Sequence, residues 1–183
     1  MAQTKEKDGG KVAGVFISQQ DADNFVVELA DKNPELASQV RVTPVSLGEM
    51  YNIAAENEAK GKNFSLAYVP EDRSVDNAKS ILTSKGEEFE GGAPLFVAKG
   101  GRDNGYLTVE QGGKQVIPFF FELSPLETLI QKFKREKPEL AQNVNIETVP
   151  LEGVIETLEK NEDELLETIV LIPTEESIDF LQK

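Results

Sequence analysis

Neither cysteine nor histidine occurs among the 183 residues. Without a thiol or an imidazole the chain has no thiol nucleophile, no Ser-His dyad and no disulfide, and it lacks most of the ligands that hold zinc. That lack is compatible with a reducing or an oxidising compartment. Long apolar runs are missing too: none approaches the roughly 18 residues that a membrane-spanning helix needs. The first ten residues, MAQTKEKDGG, contain no apolar stretch of signal-peptide type. The sequence as it stands is therefore expected to carry no secretory signal, and removal of one would leave the same picture. Basic residues are outnumbered by acidic ones, 19 against 33, for a formal net charge of -14. Such a surface repels phosphate backbones and anionic lipid, so nucleic acid is not an expected partner. The plainest consequence of the acidity is solubility.

Hydrophobic residues make up 39% of the chain, enough to bury a core. They are arranged as an internal repeat, which is the first thing to look for in a chain of this length. Pro34-Glu35-Leu36-Ala37 recurs as Pro138-Glu139-Leu140-Ala141, at an offset of 138 − 34 = 104. The same offset carries Val12 onto Val116, Phe16 onto Phe120, Val40 onto Val144, Val45 onto Val149 and Leu47 onto Leu151. Further on, Val69-Pro70 meets Ile172-Pro173 at an offset of 172 − 69 = 103, followed by Ser74-Val75-Asp76 against Ser177-Ile178-Asp179.

The repeat is physical as well as literal. Ala22, Phe25, Val26 and Leu29 stand at i, i+3, i+4 and i+7, as do Leu126, Leu129, Ile130 and Phe133. That spacing makes one apolar helix face, twice. A second helix repeats in the same way, with Leu47, Met50, Tyr51 and Ala54 against Leu151, Val154, Ile155 and Leu158. Ser46 with Glu49, and Ser124-Pro125-Leu126-Glu127, read as capping boxes, the latter with Pro at the first helical position. Asn33-Pro34 and Lys137-Pro138 end the first helix of each copy, because the residue before Pro leaves the helical region.

Each copy is thus expected to run strand-helix-strand-helix-strand-helix. The strands fall near 12–18, 40–45 and 64–69, then 115–122, 144–149 and 168–172. Crossover helices favour parallel neighbours. Between the copies, residues 93–98 and 106–110 flank a Gly-rich turn and read as a β-hairpin. The expected fold class is therefore α/β with a mixed sheet, in two repeat units related by a pseudo-two-fold. The units are residues 1–90 and residues 91–183, the latter with the hairpin, and the two can share one compact domain. Gly9-Gly10-Lys11 resembles Gly112-Gly113-Lys114, but too little chain precedes Gly9 for the other hairpin strand. The expectation is a chain cut inside a matching hairpin, with Met1 not the natural start; the alternative is that the copies diverged at that end.

Nothing in the chain completes a catalytic motif. Gly112-Gly113-Lys114 fails as a phosphate loop, since Gln115 stands where Ser or Thr would hold magnesium. The calcium-loop spacing is absent. Carboxylate pairs occur at Asp21 and Asp23, Glu87 and Glu88, Glu162 to Glu164, and Glu175 and Glu176. They sit in polar loops and at helix starts, where they favour the positive end of the helix dipole. No nucleotide, metal or haem cofactor is expected. The most apolar stretch is Ile117-Pro118-Phe119-Phe120-Phe121. Alternation sends Ile117, Phe119 and Phe121 to one face, expected to be core under the helices, and Val116, Pro118 and Phe120 to the other. That second face, with polar neighbours, is either a binding groove or is covered by the hairpin. The candidate binding residues are Val12, Phe16, Val116 and Phe120, with Leu95 and Val97 of the hairpin.

Several strings together resemble one family. They are Val12-Ala13-Gly14-Val15-Phe16-Ile17-Ser18, Asn33-Pro34-Glu35-Leu36-Ala37, Val45-Ser46-Leu47-Gly48-Glu49 and Pro94-Leu95-Phe96-Val97, with residues 111–121 and 151–158. In order along nearly the whole chain, they look like the twenty-two-kilodalton Tic subunit family of chloroplast envelopes and cyanobacteria. The start departs from the family, whose members carry extra sequence there. The resemblance implies a soluble protein of the chloroplast intermembrane space, or of the cyanobacterial periplasm or thylakoid lumen. It implies a non-enzymatic, chaperone-like carrier in preprotein import or outer-membrane protein biogenesis, without a cofactor. Its partners would be precursor or outer-membrane proteins and components of the translocon or barrel-assembly machinery. The alternative is a scaffold that stabilises a membrane translocon without binding clients.

Overall fold

The apolar spacing of residues 22–29 becomes the inward stripe of helix α1 (Gln19–Lys32), with Ala22 buried and Phe25, Val26 and Leu29 half-buried. In the computed structural model, residues 2–5, 11–62, 64–101, 103–139, 143–160 and 166–181 are described, without the side chains of 2–5, 11, 12 and 181. They fall into two compact units, residues 1–71 and 72–183.

In the first unit, β1 (Ala2–Lys5) pairs antiparallel with β2 (Lys11–Phe16), and β2 pairs parallel with β3 (Phe64–Val69). The hairpin strand for which the sequence left too little room is therefore present at residues 2–5. Gly9 and Gly10 lie outside the described residues. Between β2 and β3 run α1, the short α2 (Pro34–Ala37) and α3 (Leu47–Ala59). Ser18 caps α1 by accepting from the Asp21 N–H at 3.2 Å, and the helix stops at Lys32, ahead of Asn33-Pro34. Helix α3 begins with a complete capping box. Ser46 Oγ accepts from the Glu49 N–H at 3.1 Å, and the Glu49 carboxylate accepts from the Ser46 N–H at 2.9 Å. The hydrogen bonds that this carboxylate accepts from the Ser46 N–H and then from the Ser46 hydroxyl hold the Glu49 carboxyl below its ordinary pKa. Ser46→Ala is expected to cost about 0.5–2 kcal/mol, read as a lower urea midpoint with early exchange of the amides in the first turn of α3. The expected strand at 40–45 does not form: residues 40–46 are irregular. A strand needs a partner for its ladder, and this segment pairs with no strand among the described residues.

In the second unit, β4 (Pro94–Gly100) has partners on both edges. It pairs antiparallel with β8 (Asn145–Pro150) on one edge. Its other edge meets β5 (Gly105–Tyr106), and Phe96 faces Phe120 of β7 (Lys114–Phe120). β7 also pairs antiparallel with β6 (Val109–Gln111) and parallel with β9 (Ile169–Ile172), so the sheet is mixed. Gly112 and Gly113 form the two-residue β6–β7 turn at φ of 59° and 79°, which only glycine adopts freely.

The helices of this unit are α4 (Asp72–Ser84), α5 (Leu123–Glu136), α6 (Leu151–Lys160) and α7 (Glu175–Leu181). α4, which the repeat counts with the first copy, packs here on β4 and β8. Its buried Ser74 donates to the Phe121 carbonyl at 2.9 Å. α5 starts at Leu123, two residues ahead of the expected Pro125. Pro125 is accommodated because the first-turn N–H groups have no intrahelical acceptor. Glu122 precedes α5 without capping it. Its carboxylate instead accepts from the Glu175 N–H at the start of α7, at 2.9 Å.

The two parallel pairs share a register. Ala13, Gly14, Val15 and Phe16 face Leu66, Ala67, Tyr68 and Val69, while Ile117, Pro118, Phe119 and Phe120 face Ile169, Val170, Leu171 and Ile172. The offsets of 104 and 103 read from the sequence carry the first set onto the second. They also carry the Ile17 N–H to Val69 carbonyl bond (3.0 Å) onto the bond from Phe121 to Ile172 (3.3 Å).

Candidate functional site

Core residues of the second unit cover both faces of its sheet. Phe96 and Ala98 of β4 and Phe120 of β7 cluster with Ala78 of α4 and with Leu126 and Ile130 of α5, all buried. Ile146 and Ile172 pack at its edge. The opposite face carries the alternate residues. Ile117 and Phe119 of β7, Ile169 of β9 and Val149 of β8 form the floor of an apolar cavity of about 320 Å3. Pro150, Gly153, Val154 and Thr157, at and along α6, form one wall; Tyr106 and Leu166 complete the lining. Leu95 faces Val149 across the β4–β8 pair and Val97 faces Glu147, so both share this face.

Ile117, Phe119 and Phe121 are buried as expected, Ile117 and Phe119 beneath α6. Of the two outcomes open for the other face, a groove or a covered surface, the second holds: Phe120 is 8% exposed and packed under α5, so helices rather than the hairpin cover it. Val116 is buried on the Phe120 parity. Leu95 and Val97 are fully buried on the cavity side. In the first unit Phe16 is half-buried, its ring 5.3 Å from that of Phe25. Val12 lies in β2 with its side chain outside the described residues. Within the second unit, Leu95 and Val97 therefore lie on one face of the sheet and Val116 and Phe120 on the other. Nothing in the sequence signalled Thr157, Gly153 or Leu166: positions 150, 153, 154 and 157 keep the i, i+3, i+4, i+7 spacing of one helix face, but Gly153 and Thr157 are not apolar and so stand outside the apolar stripe of α6.

The end of the cavity at Tyr106 is polar. Lys99 forms an ion pair with Glu147 at 2.9 Å and lies 4.5 Å above the Tyr106 ring, which in turn sits 5.9 Å from Phe119. The hydrogen bond to the Glu147 carboxylate holds the Lys99 ammonium above its usual pKa. A raised lysine pKa stabilises the fold fully below the unfolded value and loses that contribution as pH rises through the folded one. The stability difference between wild type and Lys99→Met is therefore expected to stay flat from neutral pH to about 10.4. Above that it should shrink, as followed by urea titrations at a series of pH values.

No catalytic group converges on the cavity. Its lining holds no carboxylate, and its two hydroxyls belong to Tyr106 and Thr157; the latter donates to the Gly153 carbonyl at 2.7 Å. Among the described residues no cluster of acidic side chains could hold a metal ion, and no helix is long and apolar enough to cross a membrane. Asp21 and Glu175 with Glu176 sit in first turns of helices, and Glu87 and Glu88 are exposed; Glu162 to Glu164 lie outside the described residues. What the cavity offers is apolar surface beside a charged rim, of the size that holds a few side chains.

The chain matches the Tic22-like family over residues 3–183. It is 24% identical over 167 residues to the chloroplastic protein TIC 22 of Arabidopsis thaliana, covering 90% of this chain and 57% of that one. The chain thus spans little more than half the length of that relative. A solved structure of Tic22 from Anabaena, described as a protein of protein transport, aligns with a TM-score of 0.81 and 26% identity. That alignment covers 98% of this chain and 84% of the other. Tic22 from Plasmodium falciparum shares the fold, with a TM-score of 0.73 at 21% identity over 100% of this chain and 86% of that one. With its family match running from the first hairpin strand to the final residue, the chain belongs to the Tic22-like family.

Proposed function

We propose that the protein is a non-enzymatic transport factor that carries apolar segments of unfolded precursor or outer-membrane proteins. The observation that supports this reading is the 320 Å3 apolar cavity between α6 and the β7–β9 face. It offers a site for one or two large side chains of an extended client, and the acidic exterior keeps the empty protein from associating with itself. The chloroplastic and Anabaena relatives support a place in the cyanobacterial periplasm or thylakoid lumen, or in the intermembrane space of a plastid. Translocon or barrel-assembly components are the proposed partners. We also infer that residues 1–90 and 91–183 descend from one duplicated unit. The shared register of the two parallel pairs supports this, and α4 then packs outside the copy that encodes it.

Thr157→Trp tests the carrier reading. Thr157 is an exposed lining residue on α6, so the larger ring fills the cavity without entering the core. Binding of an unfolded outer-membrane protein, followed by fluorescence anisotropy, is expected to weaken about tenfold or more, with an unchanged melting temperature. A scaffold that binds no clients predicts no binding to lose. Equal affinity in wild type and variant would remove the cavity from consideration.

A further inference from the structure

The place that the cavity occupies beneath α6 has a counterpart in the first unit, and there the chain fills it. Helices α3 and α6 begin at matching residues, Leu47 and Leu151, and the parallel strand pairs of the two units share a register. In the first unit α3 packs on β3 and buries Met50 completely; Ala13 and Val15 of β2 are buried as well. The offsets carry Ala13, Val15 and Leu66 onto Ile117, Phe119 and Ile169 of the cavity floor. They carry Glu49, Met50 and Ile53 onto Gly153, Val154 and Thr157 of its wall. At each of these wall positions the second unit has the shorter side chain, whereas its floor gains a ring at Phe119. Where the first unit buries Met50, α6 leaves about 320 Å3 over β7 and β9. Left to water, that space keeps its apolar lining hydrated, a cost that an apolar guest removes.

The lining decides what kind of side chain fits. Tyr106 and Phe119 both face the cavity and form a tilted aromatic pair, 5.9 Å apart at 44°. Lys99 lies 4.5 Å above one face of the Tyr106 ring, so that ring offers the cavity its edge or its other face. A third ring can join such a pair edge-to-face, the arrangement that aromatic quadrupoles favour, while an aliphatic side chain gains only its burial. Gly153 keeps the wall thin: a Cβ there would stand 3.3 Å from Pro150 Cγ, tighter than ordinary contact. The lining carries no charged group, so a charged guest would enter unpaired.

We propose that the guest of this cavity is an aromatic side chain of the client, held between α6 and β9 on the rings of Phe119 and Tyr106, in the place where the first unit buries its own Met50. An extended client turns alternate residues to one side, about 6–7 Å apart, so a second ring two residues on reaches the same space. This proposal rests on the carrier reading. It narrows the client from apolar segments to segments with aromatic residues at alternate positions.

The test compares two fluorescein-labelled peptides by anisotropy with the whole protein: GSFSFSG, and the same peptide with cyclohexylalanine in place of both phenylalanines. The cyclohexyl ring has nearly the same size and is the more hydrophobic, so a merely apolar cavity prefers it. The expected result is the opposite, with the phenylalanine peptide bound about two- to tenfold more tightly. Tyr106→Leu should remove that preference, Tyr106→Phe should keep it, and Thr157→Trp should weaken both peptides. The wild-type comparison decides even where Tyr106→Leu does not fold by circular dichroism. Equal binding, or tighter binding of the cyclohexyl peptide, overturns the aromatic guest and leaves the carrier reading standing. Absence of binding by both peptides overturns it too, and the carrier reading then falls only where Thr157→Trp also leaves the binding of an unfolded outer-membrane protein unchanged. A preference that survives both Tyr106→Leu and Thr157→Trp puts the aromatic site elsewhere and overturns the proposal.

Discussion

Phe120→Ser is expected to destabilise the second unit by about 3–5 kcal/mol, a large share of the 5–15 kcal/mol that holds an ordinary domain together. The ring sits among Phe96, Leu126 and Ile130, all buried, and stands directly opposite Phe96 in the β4–β7 pair. A serine there leaves a cavity and a hydroxyl with no partner on the apolar side of the sheet. Phe16→Ser, its counterpart by the repeat, should cost far less. Phe16 is half-exposed, and beyond partial burial it loses only its ring contact with Phe25, worth about 0.5–1.5 kcal/mol. Urea midpoints of the two variants decide the matter. If Phe120→Ser kept the wild-type midpoint and lost client binding, the Phe120 face would be a groove after all, and the cavity beneath α6 would lose its standing as the site.

Which face of β7 carries which helices was not legible in the sequence. Residues 116–121 are apolar at every position, so alternation defines two faces without ranking them. Tertiary packing ranks them, through α4 and α5 on one side and α6 on the other. The strand expected at 40–45 failed for a related reason. Its apolar alternation equals that of residues 144–149, but strand identity is conferred by a neighbour: β8 pairs with β4, while residues 40–45 pair with no strand among the described residues. The start of α5 was misread because Ser124-Pro125 is a strong local signal. The ends of β7 and α7 compete with it, and Glu122 bonds the Glu175 N–H instead.

Local signals with no competitor survived intact. Ser46 and Glu49 form the capping box that their spacing predicts. Asn33 and Lys137 stop their helices, each through a bond to the carbonyl four residues back. The apolar stripes of α1 and α5 face inward. The offsets of 104 and 103 carry the register of β2 with β3 onto that of β7 with β9.

The first unit should depend on a single side chain more than the second does. Met50 is fully buried, and the other buried hydrophobic residues described there are the smaller Ala13, Val15 and Ala22. Large apolar side chains of the same unit remain exposed, Val27 at 64% and Tyr51 at 41% among them. A unit of this size buries only about 60% of the surface of its unfolded chain, so each buried methylene carries a large share of the driving force. Met50 also lies on α3, the helix that packs on β3. Met50→Ala is expected to cost about 2–5 kcal/mol, within the range for buried large-to-small changes. Met50→Leu conserves the volume and should cost under about 1.5 kcal/mol. Hydrogen exchange gives the local readout: the amides of α3 and β3 should lose protection in Met50→Ala, while those of β4 and β7 keep theirs. Unchanged protection of residues 64–69 would show that Met50 does not hold α3 to the sheet.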